Sequence, residues 1–295
     1  MLRAYLALAV AIGGITWSSI FVRWADVPGT VSAFYRVLIA GVVLLAWRAG
    51  RGPKKGDSPL FSQKTGTAGR RAEWIAIGGG VFFALDLALW NTAVMKTQVA
   101  VATLLGNNTP IFVGIMTWLV LGRRPRSPFW IGLALSLSGC ALIIGANLAA
   151  ATRAPGSVTG DLLALVASVF FAAYLIVTER VRSSMDTLTF NALAIAGSVA
   201  ALLVIALALG LPLTGFPPRT WAALAGLGLV TQLVAYYALV YALGHLPATI
   251  TSVGLLAQIP GAAALAWLLL GEPLTPVQIA GGAIVLVGIY VVSRE

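Results

Sequence analysis

Two ionisable side chains lie deep within apolar runs of this sequence, Arg36 and Asp86. A charge near the centre of a spanning helix costs about 2.5–3.5 kcal/mol on insertion scales. Each must therefore face protein or a wet cavity rather than lipid. Their depths, judged from the flanking runs, are close enough for the two to pair. That leaves two readings: a permanent ion pair locking the second and third runs together, or a site where one of them meets substrate charge or exchanges a proton. In the second reading Asp86 carries the proton, because arginine stays protonated. Trp90 and Phe82 flank Asp86 at one helical turn on either side, so acid and aromatics share a stripe. The stripe suits either ordinary packing or a cavity taking an amino group and an apolar side chain, since aromatic faces attract cations. Asn91 adds an amide beside it.

A second constellation is written twice. Leu105 to Pro110 contains Asn107 and Asn108, and Leu255 to Pro260 contains Gln258, at an offset of 150 residues. Trp118, Gly122, Gly132 and Gly139 are matched by Trp267, Gly271, Gly281 and Gly288 at an offset of 149. In both copies an amide precedes a proline by two residues. Proline removes a backbone donor and frees the carbonyl one turn earlier. The amides either satisfy that carbonyl or present donors and acceptors to a polar ligand. Helix interruptions at corresponding places in two halves of a membrane protein point to a transporter's binding site, with Pro110 and Pro260 as hinge points.

Other polar residues within apolar runs are Tyr174, Thr178 and Glu179, then Thr231, Gln232, Tyr236, Tyr237 and Tyr241. Buried tyrosine seeks a hydroxyl partner or a wet cavity. Gln232 and Tyr236 share one helix face, Tyr237 and Tyr241 another, and at least one of these stripes lines the interior. Glu179, beside Arg180 at a run's end, reads as a gate or surface ion pair. His245, in a turn with Gly244 and Pro247, and Cys140, in an apolar run, read as structural.

The elements that must position these residues are membrane helices. The chain has 295 residues, is 59% hydrophobic and 9% charged, and has mean hydropathy +0.95; a soluble domain is roughly 25% charged. About 20 apolar residues make a span, which predicts ten: 4–24, 30–48, 74–96, 98–121, 127–149, 158–180, 187–210, 218–242, 247–270 and 274–293. The first run begins directly at the N-terminus and is too long and continuous for a cleaved leader. Residues 49–73, rich in Gly, Ser, Lys and Arg, read as a flexible loop. Basic residues divide fourteen to four between the two sides. Arg3, Arg48, Arg51, Lys54, Lys55, Lys64, Arg70, Arg71, Arg123, Arg124, Arg126, Arg180, Arg182 and Arg294 oppose Arg23, Lys96, Arg153 and Arg219. This bias puts both termini in the cytoplasm. Five spans per half then make the repeat inverted, with halves 1–150 and 151–295. Seven tryptophans (Trp24, Trp47, Trp74, Trp118, Trp130, Trp221 and Trp267) fall near span ends as interfacial belts. Trp17 and Trp90 lie deeper.

Several functions are disfavoured. The net charge of +10 sits in short loops, a topology signal rather than a nucleic-acid groove. One histidine excludes a multi-histidine metal site, one cysteine precludes a disulfide within a monomer, and no phosphate-binding loop motif occurs. Scattered single acids do not resemble a membrane enzyme's cluster.

The whole chain resembles the drug/metabolite transporter superfamily, specifically its EamA-type members. Trp17–Ser18–Ser19–Ile20–Phe21, Phe34–Tyr35–Arg36 and the run from Pro260 through Gly271–Glu272–Pro273 carry the likeness, with Gly281 and Gly288 following. The first half departs with Gly122–Arg123–Arg124–Pro125, which argues that Glu272 is structural. Within the superfamily the chain is most similar to the YddG-type amino-acid exporters. That resemblance implies a basket of ten helices around a central cavity and alternating access. Carried onto this sequence, the cavity is lined by Trp17, Phe21, Asp86, Trp90, Asn107, Asn108, Tyr174, Gln232, Tyr236, Tyr237 and Gln258. From charge and depth, apart from the resemblance, Arg36, Asp86 and Glu179 are the candidates to form ion pairs or couple transport. The expectation is a monomeric, cofactor-free exporter of neutral or aromatic amino acids and related metabolites in a bacterial inner membrane, its partners being substrate and lipid. The alternative is a passive facilitator, or an exporter of other small metabolites or drugs, on the same fold.

Overall fold

The computed structural model describes residues 1–51, 67–97, 99–150, 158–270 and 275–294. Among the described residues all regular structure is helical, with no strand. The α-helices are α1 (Leu2–Thr16), α2 (Ser18–Ala25), α3 (Gly29–Arg51), α4 (Thr67–Lys96), α5 (Val99–Gly106), α6 (Thr109–Leu121), α7 (Ser127–Ala150), α8 (Val158–Arg182), α9 (Thr187–Ala208), α10 (Pro218–Gly226), α11 (Tyr237–Leu243), α12 (Ala248–Gly254), α13 (Gln258–Leu270) and α14 (Pro276–Val292). A π-helical stretch, Leu227–Tyr236, joins α10 to α11, and a single 3-10 turn, Leu255–Ala257, joins α12 to α13.

Eight stretches are long and apolar enough to cross a bilayer: Leu2–Ala25, Gly29–Trp47, Arg70–Lys96, Ser127–Gly145, Val158–Arg182, Thr187–Ala208, Pro218–Leu243 and Ala248–Leu265. Two further apolar helices, α6 and α14, are shorter. The difference from the ten predicted spans has a local cause. The fourth is cut at Asn107–Asn108, and α14, with 17 residues, extends about 26 Å at 1.5 Å per residue against a hydrocarbon core of about 30 Å. The loop expected over 49–73 is shorter than predicted, because α3 continues to Arg51 and α4 begins at Thr67. Its centre, with Lys54, Lys55 and Lys64, lies outside the described residues, as do Arg153 and the Gly271–Glu272–Pro273 motif.

Helix ends follow their residues. Asp186 caps α9 by accepting from the Thr189 N–H at 3.0 Å. Thr275 and Gln278 form a capping box on α14. α6 carries Pro110 in its first turn and stops at Gly122, whose φ of 67° suits glycine.

Close helix packing is built on small residues, as expected where lipid offers no hydrophobic drive for association. On α7 and α14 the glycines pair crosswise. A Cβ at Gly132 would lie 2.5 Å from the Gly288 carbonyl oxygen, and one at Gly139 would lie 2.5 Å from that of Gly281. Rising numbers on one helix meet falling numbers on the other, so the pair runs antiparallel. α4 meets α9 in the same manner: a Cβ on Gly80 would clash with the Ala194 carbonyl, and Ser198 Oγ donates to the Gly80 carbonyl at 2.7 Å. The outer faces carry exposed Leu119, Ile131, Val204, Leu207, Leu286 and Val287, as a lipid-facing surface requires. The seven tryptophans at predicted span ends are all exposed, between 39% and 72%, whereas Trp17 and Trp90 are partly buried.

Candidate functional site

Three helix irregularities meet inside the bundle. The first is the break between α1 and α2 at Trp17, whose ring stacks on Phe21 with centroids 6.0 Å apart. The second is the two-residue gap between α5 and α6. The third is the 3-10 turn leading into α13. A Cβ on Gly261, next to Pro260, would lie 3.3 Å from Thr16 Oγ1, so the first and third adjoin. The second and third are joined directly: Gln258 Nε2 donates to Asn107 Oδ1 at 2.8 Å. The same Asn107 donates through Nδ2 to the Thr103 carbonyl at 2.6 Å, and Asn108 Nδ2 donates to the Leu105 carbonyl at 3.0 Å. The amides thus bond within the protein, to nearby carbonyls and to each other. The carbonyls of Thr103 and Leu105 also accept the backbone N–H groups of Asn107 and Asn108, while the Gly106 carbonyl, four residues before Pro110, is met by the Thr109 hydroxyl at 3.0 Å; the Gln258–Asn107 bond links the two copies of the motif. Trp90 packs on this junction; a Cβ on Gly106 would sit 3.1 Å from its ring.

A polar and aromatic layer surrounds Arg36, which is 1% exposed. Arg36 Nε donates to Gln232 Oε1 at 2.9 Å and Nη1 to Ser18 Oγ at 3.1 Å. Its guanidinium lies over the rings of Tyr236 and Phe83, 4.9 Å and 5.9 Å from their centroids. Phe83 stacks on Tyr174 at 4.8 Å and meets Tyr236 at 4.7 Å, with Phe171 at 6.2 Å from both tyrosines. Asp86 is buried on the same helix as Phe83 but is not within ion-pair distance of Arg36. Among the described residues the one ion pair is between Arg123 and Glu179. The Arg36–Asp86 contact that sequence depth suggested is thus replaced by bonds from Arg36 to neutral groups.

Other expected residues lie apart from this layer. Tyr237 packs with Ala40, Leu44, Ile195 and Leu233 in a separate apolar cluster, because its neighbour Tyr236 takes the inward direction. Phe82 is 36% exposed and stacks on Phe170; Phe83 supplies the aromatic contact to the layer instead. Asn91 is fully buried but ties α4 to the start of α3, donating to the Ser32 hydroxyl at 2.8 Å and the Gly29 carbonyl at 3.2 Å. Glu179 sits at the end of α8. There it accepts from Arg123 at 2.7 Å rather than from Arg180, and from the Ala248 N–H, the first residue of α12, at 2.9 Å. Ser18, Phe83 and Phe171 are the members of the layer that sequence reasoning did not single out. Ser18 was marked only by its place in the Trp17–Phe21 segment.

An all-helical bundle with apolar outer faces and a buried polar interior defines a polytopic membrane protein. Comparison with known proteins narrows this. The model of the EamA-like transporter family matches residues 4–145 and again 158–294. The chain belongs to the EamA-like transporter family. It is 29% identical over 207 residues to YwfM of Bacillus subtilis, named as an uncharacterized transporter, covering 70% of this chain and 68% of that one. It is 30% identical over 218 residues to the pseudopaline exporter CntI of Pseudomonas aeruginosa, covering 73% of each. An uncharacterized transporter of Archaeoglobus fulgidus is 27% identical over 267 residues, covering 89% of this chain and 87% of that one. A solved crystal structure superposes with a TM-score of 0.78 at 18% identity, over 99% of this chain and 96% of that one, a likeness of fold. The chain is accordingly a multi-pass membrane protein of a transporter family.

Proposed function

We propose that this chain is a secondary transporter that exports amino acids and related small metabolites across a bacterial inner membrane by alternating access. In this reading ten crossings form two inverted halves, 1–150 and 151–295, with both termini cytoplasmic. The observation that carries it is the Gln258–Asn107 bond, which joins the helix breaks of the two copies of one motif. Broken helices at membrane depth are tolerated where they are buried in protein or line a cavity, and paired breaks mark substrate sites in transporters of repeated architecture. The glycine seam agrees with a two-fold relation between halves. Under the offset of 149, Gly132 maps to Gly281 and Gly139 to Gly288, so the contacts Gly132–Gly288 and Gly139–Gly281 exchange with one another. Self-complementary contacts of that kind are what a two-fold axis produces.

Substrate would bind between the Trp17–Phe21 pair, Trp90, the Asn107–Asn108–Gln258 junction and the layer of Asp86, Tyr174, Gln232 and Tyr236. Pro110 and Pro260 sit where the halves would flex. The aromatic and amide character suits a neutral zwitterion with an apolar side chain. Uptake of a panel of labelled amino acids into liposomes holding the protein, beside Trp90→Ala, tests the proposal. Saturable uptake of neutral amino acids that is lost in the variant is expected. Intact protein that moves no amino acid would overturn the substrate class.

A further inference from the structure

We infer that Arg36 is the carboxylate-binding pole of the substrate site, so that the transported class must carry a carboxylate as well as an amine; this rests on the amino-acid reading above. A guanidinium has five N–H donors and no acceptor. In Arg36 the Nε and Nη1 groups are used on Gln232 and Ser18, while Nη2 is buried and makes no hydrogen bond of ordinary geometry, the remaining polar contact of the guanidinium being with the Tyr236 side chain. Both partners are neutral, and the guanidinium has no carboxylate within ion-pair distance among the described residues. Asp86, the acid of the same layer, stands beyond ion-pair distance, so the buried charge is only partly compensated, and an unmet buried donor adds to that cost. Yet the surroundings are ordered rather than loose, with two aromatic rings and two side-chain bonds fixing the plane of the guanidinium. That is the condition for planar recognition of a carboxylate, for which arginine is suited.

The position of Arg36 favours an arriving anion over a static role. It stands on α3, while Gln232 and Tyr236 belong to the π-helical stretch and its end, so it reaches from one family-matched segment to the other. Movement between the segments would change its partners. The charge balance of the layer restricts the anion. Arg36 and Asp86 are one cation and one acid, formally neutral together. A zwitterion preserves that neutrality, with its carboxylate on Arg36 and its ammonium towards Asp86. A dianionic phosphate would instead face Asp86 with like charge.

The test is equilibrium binding to the purified full-length protein in lipid nanodiscs, using phenylalanine, phenylalaninamide, phenethylamine and 3-phenylpropionate. Phenylalanine is expected to bind about tenfold or more tightly than phenylalaninamide and phenethylamine, which lack the carboxylate, and more tightly than 3-phenylpropionate, which lacks the amine. Arg36→Gln should abolish the preference over the amide and the amine, and Arg36→Lys should keep part of it. Should Arg36→Gln fail to fold, the comparison of the four compounds on the unaltered protein decides by itself. Amide or amine binding as tight as that of phenylalanine, or absence of carboxylate binding, would overturn the inference. Its failure is separable from failure of the amino-acid reading. Transport of phenylalanine and phenylalaninamide at equal rates would sink only the Arg36 role, whereas carboxylate binding without transport of any amino acid would sink only the transport proposal.

Discussion

The α7–α14 seam yields a prediction whose size follows from geometry. A Cβ added at Gly139 would stand 2.5 Å from the Gly281 carbonyl oxygen, and one at Gly288 would stand 2.5 Å from the Gly132 carbonyl oxygen. Both obstacles are helix backbone, which a rotamer change cannot move. Ordinary contact begins near 3.4 Å, so the helices must part by close to an ångström or accept the overlap. Forced overpacking of this kind costs about 1–3 kcal/mol. Replacing glycine by alanine in a helix would otherwise gain up to about 1 kcal/mol. Gly145, on the same α7 but with nothing within 4 Å, supplies the control. Less the gain in helix propensity, the net loss at the seam is up to about 2 kcal/mol, so thermal unfolding in detergent should place Gly139→Ala and Gly288→Ala below the unaltered protein by up to about 4 °C, at roughly 2 °C per kcal/mol for a chain this long, and Gly145→Ala at or above it. Because the two sites correspond under the repeat, their losses should be alike. Equal melting of all three variants, or a loss at one seam glycine only, would refute both the packing argument and the two-fold relation.

Other outcomes follow from single contacts. Glu179→Gln should favour opening at the end where α8 meets α12, raising the labelling rate of a cysteine introduced at Ser252 in a Cys140→Ala background. Arg123→Gln should do so less, since Arg123 is 61% exposed and Glu179 only 12% and an exposed ion pair contributes little; equal effects would deny Glu179 its bond to Ala248. Asn107→Leu and Gln258→Leu should be non-additive in uptake, with a coupling of about 0.5–3 kcal/mol; additive losses would mean that the junction does not act as a unit. Asp86→Asn should remove any stimulation of transport by a pH gradient, and unchanged pH dependence with normal rates would exclude Asp86 as proton carrier.

Much of this architecture is legible in the residues, for identifiable reasons. Apolar run length locates helices such as α8 and α9, and proline with a preceding amide marks the breaks at Asn107–Asn108 and before Gln258. Tryptophan depth separates Trp17 and Trp90 from the exposed seven. What escapes is mostly azimuth. Sequence gives Arg36 and Asp86 similar depth but not the directions in which they point, so the bonds of Arg36 to Gln232 and Ser18 could not be anticipated. Phe82 lies on the stripe of Asp86 by spacing, yet Phe83 meets Tyr174 and Tyr236. The π-helical turn at Leu227–Tyr236 has a longer period than an α-helix. It carries no proline or other signal and alters the phase by which Tyr236 turns inward and Tyr237 away. The break at Trp17 likewise lacks a proline, and its residues pass for a continuous helix.

Counterflow tests the central claim most directly. Liposomes holding the protein are loaded with an unlabelled neutral amino acid at high concentration and diluted into a trace of the labelled one. A carrier whose single site faces each side in turn must drive transient accumulation of label above its external concentration, and the overshoot should disappear with Trp90→Ala. Label that enters only to equilibrium, without overshoot, would identify a passive pore and contradict alternating access.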